Sequence, residues 1–202
     1  MRIAVVGATG KAGTQVTKEL TARGHHVTGI VRNPDRMPVG PLTSAIGTDS
    51  TRESLAAAIR GHDAVVTSVR FADLDPDVVV PAVLDSGVKR YVVVGGAGSL
   101  IGPDGVLEYD NPNFPPPARP NSVRGGYLLE LLQQTKGLDW TYISPSRMFV
   151  HGERTGKFRY GKDHLLVNAE GDSRISFEDF AIAVADELEQ PKYIGQRITI
   201  GY

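Results

Sequence analysis

The stretch Ile3-Ala4-Val5-Val6-Gly7-Ala8-Thr9-Gly10-Lys11-Ala12-Gly13-Thr14 narrows the choice of fold more than any other part of the chain. A fully apolar run of this length reads as a strand buried on both faces. It passes through a glycine-punctuated turn into a helical pattern with Val16 and Leu20 on one side. The three glycines do different things. Gly7 reverses the chain, Gly10 lets phosphates approach bare backbone, and Gly13 lets the helix lie close to the strand. The first N–H groups of the helix and its positive dipole end then face the gap, which suits a pyrophosphate. Gly7, Ala8, Thr9, Gly10, Lys11, Ala12 and Gly13 are therefore the expected cofactor loop. The spacing is G-x-x-G-x-x-G, not the commoner G-x-G-x-x-G, and similar turns occur in doubly wound proteins that bind nothing there. The strand before it and the helix after it favour a dinucleotide.

At 202 residues and 41% apolar content, the chain is expected to be a single domain, 1–202, with a well-filled core. Net charge is −1, from 22 basic and 23 acidic residues, without a basic stripe, so nucleic acid is not an expected partner. The absence of cysteine excludes disulfides, thiolate catalysis and cysteine-ligated zinc, and it fits a cytoplasmic setting. No stretch approaches about 20 apolar residues, and glycines and Lys11 interrupt the first apolar run, so neither a membrane span nor a signal segment is expected. The five histidines show no metal-ligand spacing; no metal site is expected, and surface roles are assigned to them.

Along the chain, a first helix is expected from Lys11 to Arg23 and a second strand from His26 to Val31, with Arg32 at its end. About 20 residues past the glycines of a dinucleotide fold, an acid holds the 2′-hydroxyl of NAD, whereas an arginine accepts the 2′-phosphate of NADP. Arg32, with Arg36 one turn on, favours NADP(H) over NAD(H). A third strand, Thr43–Gly47, leads to Asp49, a candidate adenine contact, and to a capping box Ser50-x-x-Glu53 opening the next helix. The fourth strand, Asp63–Val69, ends at Ser68, Val69 and Arg70, which should line the cofactor crevice. Asp75 and Pro76 start a helix that Gly87 ends. The fifth strand, Tyr91–Val94, runs into Gly95-Gly96-Ala97-Gly98-Ser99, where backbone should approach the nicotinamide end and Ser99 offers a hydroxyl.

Residues 101–120 lack periodicity and hold six prolines, which reads as a lid-like insertion of about 100–120 with Tyr109 and Phe114 as candidate walls. A helix from Asn121 to Lys136 carries Tyr127, and a sixth strand, Asp139–Ile143, closes at Ser144-Pro145. Beyond it, Met148-Phe149 and Gly152–Gly156 form a second glycine-punctuated segment, and Leu165–Val167 reads as a short strand. A helix from Phe180 to Leu188 capped by Ser176 and a closing strand, Arg197–Ile200, complete the chain. The alternation of strands and helices implies an α/β, doubly wound parallel sheet with helices on both faces.

GATGKAG at Gly7–Gly13, VVGGAGSL at Val93–Leu100, DWTYISP at Asp139–Pro145, GERTG at Gly152–Gly156 and SFEDFAIAVADELE at Ser176–Glu189 carry a resemblance over nearly the whole chain. The chain resembles the atypical short-chain dehydrogenase/reductases, in particular the NmrA-like and biliverdin-reductase-B-like branch, often described as NAD(P)H-flavin reductases. The resemblance implies a Rossmann-type domain that binds NADP(H), with a small irregular C-terminal part of about 145–175 covering the substrate crevice; Ser99 and Tyr127 are the candidate catalytic groups and Pro145 a candidate cofactor contact. Typical members pair a tyrosine with a lysine four residues later to donate a proton, and no tyrosine here has that lysine. Its absence points away from alcohol and ketone chemistry and toward flavin or quinone reduction, in which negative charge is delocalised and water supplies the last proton. The expectation is hydride transfer from NADPH to a small conjugated acceptor such as flavin, by a monomer or homodimer. The alternative is a non-catalytic NADP(H)-binding redox sensor; a sugar-nucleotide epimerase fits less well, given the length and the missing pair.

Overall fold

The computed structural model describes residues 1–202. The strands are β1 (Arg2–Val6), β2 (His26–Val31), β3 (Thr43–Gly47), β4 (Ala64–Thr67), β5 (Arg90–Val94), β6 (Asp139–Pro145), β7 (Met148–Val150), β8 (Arg159–Gly161), β9 (Arg174–Ser176) and β10 (Gln196–Gly201). The helices are α1 (Lys11–Ala22), α2 (Arg52–Ile59), α3 (Pro76–Ser86), α4 (Arg119–Gln134) and α5 (Phe177–Glu189). Eight strands form one sheet in the order β3-β2-β1-β4-β5-β6-β10-β8, parallel except where β8 runs against β10, and β7 pairs with β9 in a separate ribbon. This is a Rossmann-type fold. No helix is long and apolar enough to cross a membrane.

The apolar runs follow from burial of the sheet on both faces. In β1, Ile3 and Val5 join the core beneath α1 and α5, whereas Ala4 and Val6 join the one beneath α2, α3 and α4. In β5, Val92 and Val94 take the first side, Tyr91 and Val93 the second. A strand with both faces covered has no polar side to show, so alternation disappears from its sequence. The chain moves outward from β1 through β2 to β3 and then returns to β4 on the other side of β1. That reversal opens a crevice at the carboxyl ends of β1 and β4, where α/β sheets bind ligands.

Several expectations need correction. The cap of α2 is Thr51, whose hydroxyl accepts from the Ser54 amide at 3.3 Å; Ser50 precedes it with φ at +65°. α4 begins at Arg119 with Pro120 in its first turn, two residues before the expected start, because proline needs no helical N–H donor there. α5 begins at Phe177, directly after its Ser176 cap. Leu165–Val167 is not a strand: Leu165 donates once to the Ile101 carbonyl, and the edge strand is Arg159–Gly161. His25 is buried, with Nδ1 3.2 Å from the Met1 amine and Nε2 2.8 Å from Glu189, which revises its surface role.

Candidate functional site: a cofactor cleft at the carboxyl edge

β1 enters the turn through Gly7, whose φ of +84° excludes other residues without strain. Gly13 lies so close to the Gly7 carbonyl that a side chain there would overlap it. The N-cap of α1 is Gly10, which has no side chain to cap with, whereas Thr51, Asp75 and Ser176 cap α2, α3 and α5; α4, also without a side-chain cap, has Pro120 in its first turn. The first N–H groups of α1 are thus left for something outside the protein. A cleft of about 1280 Å³ opens in front of them. That exceeds the roughly 300–1,000 Å³ of an ordinary small-molecule pocket, leaving room for two ligands side by side.

Most residues singled out in the sequence meet on its wall. Gly7, Thr9, Gly10, Lys11, Ala12, Arg32, Arg36, Ser68, Val69, Arg70, Gly95, Gly96, Ala97 and Pro145 all line it. Arg32 and Arg36 are exposed and have no ion-pair partner. The loop that carries them is pegged by Met37, which is buried and fills the space a side chain at Gly29 would need. Arg70 is engaged by Asp73, whose carboxylate accepts from Nε and Nη2 at 2.8 and 3.0 Å and is held below the usual carboxylate range by that contact. At the far end, the Tyr142 ring occupies the space beneath Gly95, and its hydroxyl donates to the Gly125 carbonyl at 3.1 Å.

Five of the expected residues are placed elsewhere. Ala8 and Gly13 stand behind the loop, buried against the core. Asp49 turns away to accept from the Thr51 amide and hydroxyl at 3.0 and 2.8 Å, and its neighbours Thr48 and Ser50 take the wall. Ser99 is buried, and its carbonyl and hydroxyl both accept from Arg197 Nη1, at 2.6 and 3.1 Å. Tyr127 is on the outer surface of α4, where its hydroxyl donates to Asp77 at 2.7 Å. Neither reaches the cleft, so neither is retained as a catalytic group. Of the lid aromatics, Phe114 lines the cleft, whereas Tyr109 packs against Gly126 and does not.

Sequence reading missed most of the far half: Phe71, Leu74, Glu108, Asn121, Ser122 and Arg147. Arg147 was recoverable from its place just past the end of a buried parallel strand. The others come from loops and from α4, whose approach to the sheet has no local sequence signal. No tyrosine or histidine lines the cleft, so neither a phenol nor an imidazole is offered to a reacting group.

The glycine turn, the uncapped helix and the switch-point cleft define a nucleotide-binding α/β protein. The chain belongs to the NAD(P)H-binding family, whose pattern matches residues 7–191. It is 40% identical to the uncharacterized protein YwnB of Bacillus subtilis over 99% of this chain and 98% of that protein. Among solved structures, it is similar to a Bacteroides thetaiotaomicron protein named provisionally as an epimerase. That match has 35% identity and TM-score 0.93, and covers 100% of this chain and 96% of the other. It is also similar to a Streptococcus pneumoniae protein named provisionally as an NADH-flavin reductase, at 32% identity and TM-score 0.81, covering 100% of this chain and 99% of the other.

Proposed function

We propose that the protein is an NADPH-dependent reductase of conjugated acceptors such as flavins or quinones, of the NmrA-like and biliverdin-reductase-B-like branch. One observation carries this reading: a single cleft joins an uncapped glycine turn to an aromatic half without a tyrosine or histidine. Gly7, Gly10 and the first turn of α1 hold the pyrophosphate, and Arg32 and Arg36 hold the 2′-phosphate. Gly95, Gly96 and Ala97 floor the nicotinamide, with Pro145 beside it. When bound, the dinucleotide supplies a hydride. The protein contributes alignment and exclusion of water, with Phe71, Phe114 and Phe149 as the apolar walls of the acceptor half.

The segments of about 100–120 and 145–175 cover the acceptor side of a single domain that works in the cytoplasm as a monomer or homodimer. The epimerase name of one neighbour fits less well, because epimerisation needs a positioned proton donor and the cleft wall offers no phenol or imidazole. The test mixes purified protein with NADPH and FMN, riboflavin or 2-methyl-1,4-naphthoquinone and follows loss of the dihydronicotinamide absorbance. Turnover faster than the uncatalysed background is expected. No turnover on any acceptor, with NADP and NADPH bound at different affinities, would instead favour the redox-sensor alternative.

A further inference from the structure

The acceptor half of the cleft holds an ion pair for which cofactor binding has no use. Glu108 lies on the one-turn helix Glu108–Asp110 with its side chain 5% exposed, and Arg147 follows β6 by two residues. Arg147 donates to it through a two-bond fork, Nε to Oε2 and Nη2 to Oε1, both 2.8 Å. Its side chain is 48% exposed where it lines the cleft, and Nη1 has no partner in the protein. The buried carboxylate keeps the guanidinium in one orientation before any ligand arrives, so the free N–H edge costs little further entropy to use. The pair is neutral overall, but its 5% exposed carboxylate is occupied by the fork while the half-exposed guanidinium keeps an unpartnered N–H edge at the cleft wall. Such a group suits an oxygen that gains charge during a reaction.

We propose that Arg147 forms an oxyanion site: its Nη1 donates to the carbonyl oxygen of the conjugated acceptor as that oxygen becomes charged. The proposal rests on the reductase reading above and narrows it to acceptors bearing a conjugated carbonyl. The reduced nicotinamide gives up one hydride, a proton with two electrons, and is oxidised. The acceptor forms one new bond to hydrogen, its π electrons shift through the conjugated system onto oxygen, and water supplies the proton that neutralises that oxygen. Arg147 holds the charge in the interval and is not itself consumed.

The test compares two ligands of similar size by calorimetry on NADP-loaded protein: 2-hydroxy-1,4-naphthoquinone, an oxyanion at neutral pH, and neutral 2-methyl-1,4-naphthoquinone. The wild type is expected to bind the oxyanion about tenfold tighter, the worth of one charge-assisted hydrogen bond. Arg147→Ala should reduce the preference to within about twofold of that left by the oxidised nicotinamide's own charge. So should the double variant Arg147→Met with Glu108→Gln, which strands no buried carboxylate. NADP affinity, unchanged in both, reports an intact fold. Equal binding of the two ligands by the wild type, or a preference undiminished in both variants, overturns the proposal. A wild type with the preference but no NADPH consumption sinks the reductase reading and keeps the oxyanion site; turnover without the preference does the reverse.

Discussion

Arg32 and Arg36 are chemically the most exposed element of the proposed function, because no acid of the protein satisfies them. A hydrogen bond to a charged group contributes roughly 1.5–3 kcal/mol. Replacing either one with alanine should therefore weaken NADPH binding about 10- to 100-fold while leaving NADH affinity unchanged, as read by cofactor fluorescence titration. An equal loss for both cofactors would place the arginines away from the 2′-phosphate. Arg70 would be a poor substitute for either, since Asp73 already accepts both ends of its fork. Sequence position alone marks all three arginines as cleft residues; only the tertiary contacts separate the free pair from the engaged one.

Between elements, the decisive contact is buried. Arg90 on β5 donates through Nη1 to the Asp139 carbonyl and the Thr141 hydroxyl of β6, and through Nη2 to the Glu187 carbonyl and carboxylate of α5, all within 2.9 Å. Glu187 also accepts from the Thr141 hydroxyl and from the Lys192 and Tyr193 amides that lead into β10. Burial pulls the Arg90 pKa down against the pull of Glu187. One network thus ties two strands, a helix and the approach to a third strand. Glu187→Ala should lower unfolding free energy by about 3–5 kcal/mol, because it leaves an uncompensated buried guanidinium, and urea melts would show it. A loss under about 1 kcal/mol would mean that water reaches Arg90 and replaces the carboxylate. The helix caps at Asp75 and Ser176 and the left-handed Gly87 were all legible in the sequence, since caps and turns depend on neighbours a few residues away. This network was not, because its partners are up to 97 residues apart.

Across the whole molecule, α1 and α5 are joined by charge as well as by packing. Buried Glu19 of α1 accepts from Arg154 through two bonds of 2.8 Å and from Arg23 through another, and Arg23 continues to Asp186 and Glu189 of α5. The Arg154 contact, followed by Arg23, holds the Glu19 carboxyl below its ordinary value of 4.5 despite the opposing effect of burial. An acid whose folded pKa is depressed stabilises the fold above its unfolded pKa and loses that contribution as pH falls through the folded one. Wild type should therefore lose stability on acidification below about pH 4.5 more steeply than Glu19→Gln. Urea midpoints measured over that range should converge as Glu19 becomes protonated, with the variant weaker at neutral pH. Parallel pH profiles would show that Arg154 and Arg23 do not engage Glu19 in solution.

The amino-acid order alone determined the strand, glycine turn and helix at the start, the alternation that produces a doubly wound parallel sheet, and most of the cleft wall around the glycine turn. Each of these depends on backbone geometry and on burial periodicity over a few residues. Only the tertiary structure decided that Ser99 serves Arg197, that Tyr127 faces outward to Asp77, and that Glu108 and Arg147 meet at the cleft wall. Those outcomes depend on how loops and α4 settle against the sheet. Contacts between segments tens of residues apart are chosen by packing and charge in three dimensions, and spacing along the chain carries no record of them.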